Sequence, residues 1–246
     1  RKVLFSGTPC QIAGLKLFLR KEYENLLSVD FICHGVPSPG VWRQYLNEFI
    51  AHQGNKKNSV FSPSKPIVLN SIRDISRIEF RNKRLGWKKY SFALTLSVPD
   101  GHGAKNTVLL SEPYNKNIFM KGFLADLYLR PSCYACPSKC LKSGSDVTIG
   151  DYWGIQNVKP EIDDDKGICC TIVNTSKGGA HVSRIDTDKV ISSYKEVFQG
   201  NPALIKSALL SDKRSEFYKH YPNKFVQFID IRCKMWICDF FAKNIK

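Results

Sequence analysis

Val3-Leu4-Phe5-Ser6-Gly7-Thr8-Pro9-Cys10-Gln11-Ile12 is the stretch on which the fold turns. Val3 to Ser6 is short and apolar and ends on Gly-Thr-Pro, which reads as a buried strand running into a turn. Pro9 suits a first helical position, where its missing N–H would have no partner anyway, and Ile12, Leu15, Phe18 and Leu19 then recur at helical spacing. Cys10 is thereby expected at a helix N-terminus. Leu26 to Cys33 reads as a second strand, and Gly35-Val36-Pro37-Ser38-Pro39-Gly40 as a rigid loop before a helix carrying Val41, Tyr45, Leu46 and Phe49. Strand, helix, strand, helix is the pattern of a parallel α/β layer.

Outward from this start the period changes. Asn55 to Pro66 is polar, and then Ile78–Phe80, Tyr90–Val98 and Thr107–Leu110 read as antiparallel strands, joined at Gly86 and at Asp100-Gly101-His102-Gly103. Asn115 to Leu129 is expected to be helical, Ser132 to Gly144 a Cys-rich loop, and Asp146–Gly150 and Ile168–Val173 strands. The expected fold is therefore α/β (mixed α+β), with parallel strand-helix units, an inserted antiparallel section and a mostly helical tail. One main domain is expected over 1–200 with the insertion at about 67–112, followed by a helical extension over 201–246.

The 246 residues are 43% hydrophobic and 24% charged, a globular composition, and a chain of this size buries enough surface to fold without covalent staples. Its nine cysteines need another explanation. No apolar run approaches the roughly 18 residues of a membrane span, the aromatic stretch Met235–Ala242 being broken by Asp239, and the N-terminus lacks the apolar segment of a signal peptide. A cytoplasmic protein without membrane insertion is expected. A strand that begins at once, without an initiator Met, suggests that residues upstream of Arg1 have been removed. The net charge of +15 predicts an anionic partner, and much of the excess is local: Arg73, Arg77, Arg81, Lys83, Arg84, Lys88 and Lys89 are opposed only by Asp74 and Glu79.

Cys133-Tyr-Ala-Cys136-Pro-Ser-Lys-Cys140 places three thiols within eight residues. A CxxC loop turns two thiolates toward one metal or cluster. A thioredoxin-like dithiol would instead put its CxxC at a strand-to-helix junction. Structural zinc usually takes two local pairs of ligands, and the chain has no second CxxC. Its five histidines, at 34, 52, 102, 181 and 220, are scattered singly. Cys169 and Cys170 are adjacent in an apolar strand, where only one can face a given side. An iron-sulfur cluster accepts ligands from distant loops, and Cys10 and Cys33, each at the C-terminal end of a predicted parallel strand, are candidates for the remaining pair. Cys10 at a helix N-terminus equally suits a nucleophile, and either residue alone also fits a small buried side chain. Cys233 and Cys238, five apart on a predicted aromatic helix, read as core.

Five ordered motifs carry a resemblance. Gly7-Thr8-Pro9-Cys10-Gln11, Cys33-His34-Gly35-Val36-Pro37-Ser38-Pro39, Arg84-Leu85-Gly86-Trp87-Lys88-Lys89-Tyr90-Ser91-Phe92, Arg130-Pro131-Ser132-Cys133-Tyr134-Ala135-Cys136 and Ser145-Asp146-Val147-Thr148-Ile149-Gly150-Asp151-Tyr152-Trp153-Gly154 together resemble the coenzyme F420 hydrogenase/dehydrogenase beta-subunit family, most of all its bacterial members with an upstream ferredoxin domain. The likeness runs from Val3 to about Lys177. It implies an iron-sulfur flavoprotein oxidoreductase, with FAD held beside a 4Fe-4S cluster whose ligands would be Cys10, Cys33, Cys133 and Cys136. Cys140 departs from the family pattern and competes with Cys136 for the fourth place. The implied partners are a ferredoxin-type electron donor, as an upstream domain of the same chain, and an anionic small-molecule acceptor. Relatives reduce a deazaflavin, a chlorophyll derivative or other acceptors, and the bacterial group often occurs beside polysaccharide-synthesis enzymes.

For the flavin, Gly7 and Thr8 before a helix, or Thr148 and Gly150 in and after a strand, could offer backbone N–H groups and a hydroxyl to a pyrophosphate, although a Gly-Thr turn is more often only a turn. Asp146 and Asp151 could bond ribose or ring atoms, or equally cap loops. Asp163-Asp164-Asp165 reads as a solvated turn. Arg81, Lys83, Arg84, Trp87 and Lys88 are expected on a hairpin tip that faces the flavin, with the guanidinium groups for an anion and the indole for a flat acceptor. Two other classes remain open: a basic nucleic-acid-binding module stacking bases on Trp87 and Tyr90, which would leave the cysteines idle, and a structural zinc protein.

Overall fold

Thr8 stands in extended backbone between strand β1 (Val3–Gly7) and helix α1 (Pro9–Leu19), and its N–H donates to Gln11 Oε1 at 2.9 Å. The side chain three residues into the helix thus satisfies the backbone at its head, with Pro9 beside it. From this start the computed structural model describes residues 1–55, 71–99 and 105–221. The polar stretch after Asn55, the Asp100–Gly103 turn, and Cys233 and Cys238 lie outside the described residues. The chain is an α/β protein that divides into two compact units, Arg1–Val36 with Pro131–Leu209, and Pro37–Arg130 with Leu210–Lys246.

The first unit holds a four-stranded sheet in the order β1, β2 (Leu26–Phe31), β6 (Val147–Asp151), β7 (Cys169–Val173). The first three strands are parallel and β7 runs antiparallel to β6. The expectation of a buried first strand is corrected: β1 is an edge strand with Val3 49%, Leu4 66% and Phe5 36% exposed. A short apolar run has the same sequence signature at an edge as at a sheet centre. Leu26–Cys33 contracts to Leu26–Phe31, which leaves Cys33 in the loop beyond.

Much of this unit's interior is polar. Asp146 Oδ2 accepts from the N–H and the hydroxyl of Ser28, both at 2.8 Å, while Oδ1 accepts from Thr175 Oγ1 at 2.8 Å and faces Lys177 Nζ at 3.5 Å. Burial alone would raise the Asp146 carboxyl, but the Ser28 and Thr175 hydrogen bonds and the Lys177 charge prevail and leave it below its ordinary value. Thr175 also caps α5 (Ser176–Val182), so one carboxylate ties β2, β6 and a helix start together. A Cβ at Gly178 would lie 2.2 Å from the Asp146 carbonyl oxygen, so only glycine lets α5 approach β6 this closely. Neither α5 nor the short helices α4 (Ile155–Val158) and α6 (Tyr194–Gly200) was expected, being only four to seven residues long.

The second unit is apolar inside. Helix α2 (Pro39–Asn55), the antiparallel sheet β3 (Ile75–Asn82), β4 (Ser91–Pro99), β5 (Lys105–Pro113), helix α3 (Ile118–Leu124) and helix α7 (Lys213–His220) supply it. Trp42 packs on Phe119 at 4.7 Å and on Phe80 at 5.1 Å between ring centroids, with Tyr45 and Phe92 completing the cluster. Asn117 heads α3, accepting from Met120 N–H and donating to Tyr45 Oη and Glu112. The helix expected over Asn115–Leu129 stops at Leu124, and Asp126 takes a left-handed φ of 57°. The tail is helical over Pro202–Leu204, as a 3-10 turn, and again in α7, with non-helical chain between.

Candidate functional site

In the first unit, one cavity of about 80 Å³ is lined by Cys10, Cys33, Cys133 and Cys136. Cys10 comes from the first turn of α1, Cys33 from the loop just beyond β2, and Cys133 from the 3-10 turn Pro131–Ala135, with Cys136 immediately after it. The parallel register explains the first two: Gly7 is level with Asp30, so the chain leaves β1 and β2 at one sheet edge.

The sulfurs have polar neighbours. Val36 N–H donates to Cys133 Sγ at 3.4 Å, and Thr8 Oγ1 lies 3.1 Å from Cys10 Sγ. Burial pushes the Cys33 thiol up to about 11; the Lys139 ammonium opposes this, while Cys133, Cys10 and Cys136 add to it. Lys139, itself a lining residue, donates from Nζ to the carbonyls of Cys33 at 2.6 Å and Ala203 at 2.7 Å. Cys136 N–H donates to Ser207 Oγ at 3.0 Å. The cysteine loop is thus anchored both to the Cys33 loop and to the 202–207 segment.

Among the described residues, no three His, Cys, Asp or Glu side chains stand close enough to hold one metal ion. A zinc site would need its donors within one coordination sphere. A cubane cluster places four irons and four sulfides between its thiolates and so holds them farther apart.

The other cysteines lie elsewhere. Cys140 is exposed in left-handed backbone, φ 59°, with its thiol toward the Ile205 carbonyl, and it does not line the cavity. Cys169 is exposed and Cys170 buried, as their adjacency predicts, and burial pushes Cys170 up to about 12. No disulfide joins the described cysteines.

Of the residues nominated for flavin, Thr148 lines the cavity. Its hydroxyl donates to Asp30 at 2.6 Å and accepts from Asn174 at 2.9 Å. Thr8 donates to Gln11 through both its backbone and its hydroxyl, so Gly7-Thr8 has the geometry of a helix cap. A Cβ at Gly150 would meet the Ile32 side chain at 2.6 Å. Asp151 ends β6, half-buried. Asp146 is 2% exposed, and its oxygens are engaged by Ser28, Thr175 and Lys177.

The basic hairpin lies in the second unit, with Gly86 at φ 99° in its turn and Arg81, Lys83 and Arg84 exposed. Trp87, expected to stack on a flat acceptor, is 1% exposed and belongs to the core. Tyr90 is 8% exposed, stacked on Tyr114 at 4.5 Å and covered by Arg81 at 4.7 Å. Neither ring offers the open face that base stacking requires.

Asp30 and Lys139 were not singled out from the sequence. Asp30 is a lone carboxylate inside an apolar strand, 2% exposed and lining the cavity, and Lys139 is the one cation between Cys133 and Cys140. Those two anomalies were the available signals.

Among the described residues, no helix is long and apolar enough to cross a membrane. No curated protein matches the chain. The family model for coenzyme F420 hydrogenase/dehydrogenase, described as the C terminus of the beta subunit, matches residues 1–196, a span that includes the four lining cysteines. By that match over most of its length, the chain belongs to the family defined by the C terminus of the coenzyme F420 hydrogenase/dehydrogenase beta subunit, a family of redox-enzyme subunits.

Proposed function

We propose that the chain is an iron-sulfur flavoprotein oxidoreductase that moves electrons between a ferredoxin-type donor, a 4Fe-4S cluster, FAD and an anionic small-molecule acceptor. The observation that carries this reading is the lining of one cavity by Cys10, Cys33, Cys133 and Cys136. The donor set fits a cluster: four thiols, an N–H directed at one sulfur, and an ammonium beside the group. The outward position of Cys140 supports Cys136 as the fourth ligand. A bound cluster would supply one-electron storage, while the protein holds its ligands and sets their surroundings.

The flavin rests on family membership, with Thr148 at the cavity wall as its best-supported neighbour; Gly7, Thr8, Gly150 and Asp151 stay nominated. The exposed charges of Arg81, Lys83 and Arg84, with Lys88, suit an anionic acceptor or an acidic donor domain. The expected compartment is the cytoplasm, where thiols stay reduced.

Anaerobic reconstitution with iron and sulfide, followed by FAD titration, tests the proposal. The expected result is a cluster absorption band in the visible and stoichiometric flavin binding that quenches flavin fluorescence. Protein that forms a cluster yet binds no FAD overturns the flavoprotein part, and protein that binds one zinc ion in place of iron overturns the whole.

A further inference from the structure

Lys139 stands where a charge matters most. Lys139 lines the same cavity as the four cysteines, its charge acts on the Cys33 thiol, and the residue is half-buried. Two short hydrogen bonds hold it, to the carbonyl of Cys33 at 2.6 Å and to that of Ala203 at 2.7 Å. Both acceptors are main-chain atoms, so the charge is fixed by backbone on two separate segments and not by a carboxylate that would neutralise it. No ion pair to Lys139 occurs among the described residues, whereas Lys16, Lys166 and Lys177 each face an acid. An ammonium has three donors, and two carbonyls use two of them.

We propose that Lys139 is a positioning residue that also sets the charge of the thiolate centre, raising the reduction potential of the group bound there. The inference rests on the proposed cluster. Four thiolates around a cubane leave a net negative centre, and one electron makes it more negative still. A cation fixed beside it therefore stabilises the reduced state more than the oxidised one. Cys33, Cys133, Cys136 and Lys139 are half-buried, so that difference is screened less than it would be between fully exposed groups. Through the Cys33 carbonyl the same side chain holds one ligand-bearing loop against the other, so position and charge come from one residue.

Replacement separates the two contributions. Lys139→Gln keeps amide donors for the carbonyls and loses the charge; Lys139→Arg keeps the charge. Each variant and the wild type are reconstituted, and the cluster is titrated with a chemical reductant under electron paramagnetic resonance. Lys139→Gln is expected to disfavour reduction about tenfold or more, a potential lower by about 59 mV or more for one electron. Lys139→Arg is expected within about threefold of wild type. A Lys139→Gln protein that binds no cluster, beside a Lys139→Arg protein that does, also supports the charge. Equal potentials in wild type and Lys139→Gln overturn the inference and leave the proposed function standing. Equal losses in both variants overturn it too, since geometry and not charge would then be at stake. A wild type that holds no cluster refutes the proposed function itself, and the inference with it.

Discussion

The first unit buries polar side chains and the second buries rings. Ser28, Asp30, Ser138, Ser143, Ser145, Asp146, Thr148 and Asn201 are all buried in the first, whereas Ser91 and Asn117 are the buried polar side chains identified among the described residues of the second. In the second, buried Tyr45, Phe92 and Phe119 pack ring against ring with half-buried Trp42, and Phe80, 41% exposed, closes the cluster at its margin. An apolar core needs only volume and pattern, and tolerates approximate geometry. A polar interior must satisfy each donor and acceptor, which fixes geometry closely. The cysteine-lined cavity belongs to the unit whose interior is specified in that stricter way.

The comparison can be broken by substitution. The largest effect is expected at Phe119, 1% exposed and in ring contact with Trp42, Tyr45, Phe80 and Tyr128. Phe119→Ala should cost about 4 kcal/mol in denaturant unfolding. A loss under about 1 kcal/mol would mean that the ring cluster does not hold its unit together.

The polar counterpart is Asp146→Asn, expected to cost about 3 kcal/mol, because Lys177 loses its partner and Ser28 faces an amide in place of a charged acceptor. The carboxyl lies below its ordinary value in the folded protein, so its contribution is complete above the unfolded carboxyl's value, about 3.9. It is lost as pH falls through the folded value. Wild type should therefore lose stability steeply on acidification while Asp146→Asn follows a flatter acid arm; parallel arms would contradict the assignment.

The smallest effect sharpens the contrast. Ser91 Oγ is buried in the second unit without a hydrogen-bond partner among the described residues, so Ser91→Ala should be neutral or stabilising by about 0.5 kcal/mol. A loss above about 1 kcal/mol would reveal a polar requirement in the apolar unit as well.

Legibility followed the same division. The β1-α1-β2 start, the antiparallel section and the place of Cys10 at a helix head were open to reading, because periodicity and Pro9 report local geometry. The edge position of β1 was not, since exposure depends on strand order, which a five-residue run does not encode. Asp146 was equally ambiguous: a carboxylate in a Ser-Asp-Val-Thr stretch looks alike whether it meets a ribose or Ser28, which is 118 residues away in the chain. The burial of Trp87 was not legible either, because a ring among cations suggests a surface, whereas burial is decided by partners elsewhere in the unit. The Cys133–Cys136 loop stood out by its spacing and Cys10 and Cys33 by their places after predicted strands, whereas Lys139 emerges only through its bonds to Cys33 and Ala203.

The central claim is that four cysteines from three segments act as one ligand set. Iron and acid-labile sulfide per chain, measured after anaerobic reconstitution of single Cys→Ser variants, tests it most directly. The account predicts about four of each in wild type, the same in Cys140→Ser and Cys169→Ser, and loss of most of both in Cys10→Ser, Cys33→Ser, Cys133→Ser and Cys136→Ser. Full iron in any of those last four, or its loss in Cys140→Ser, would contradict the ligand set.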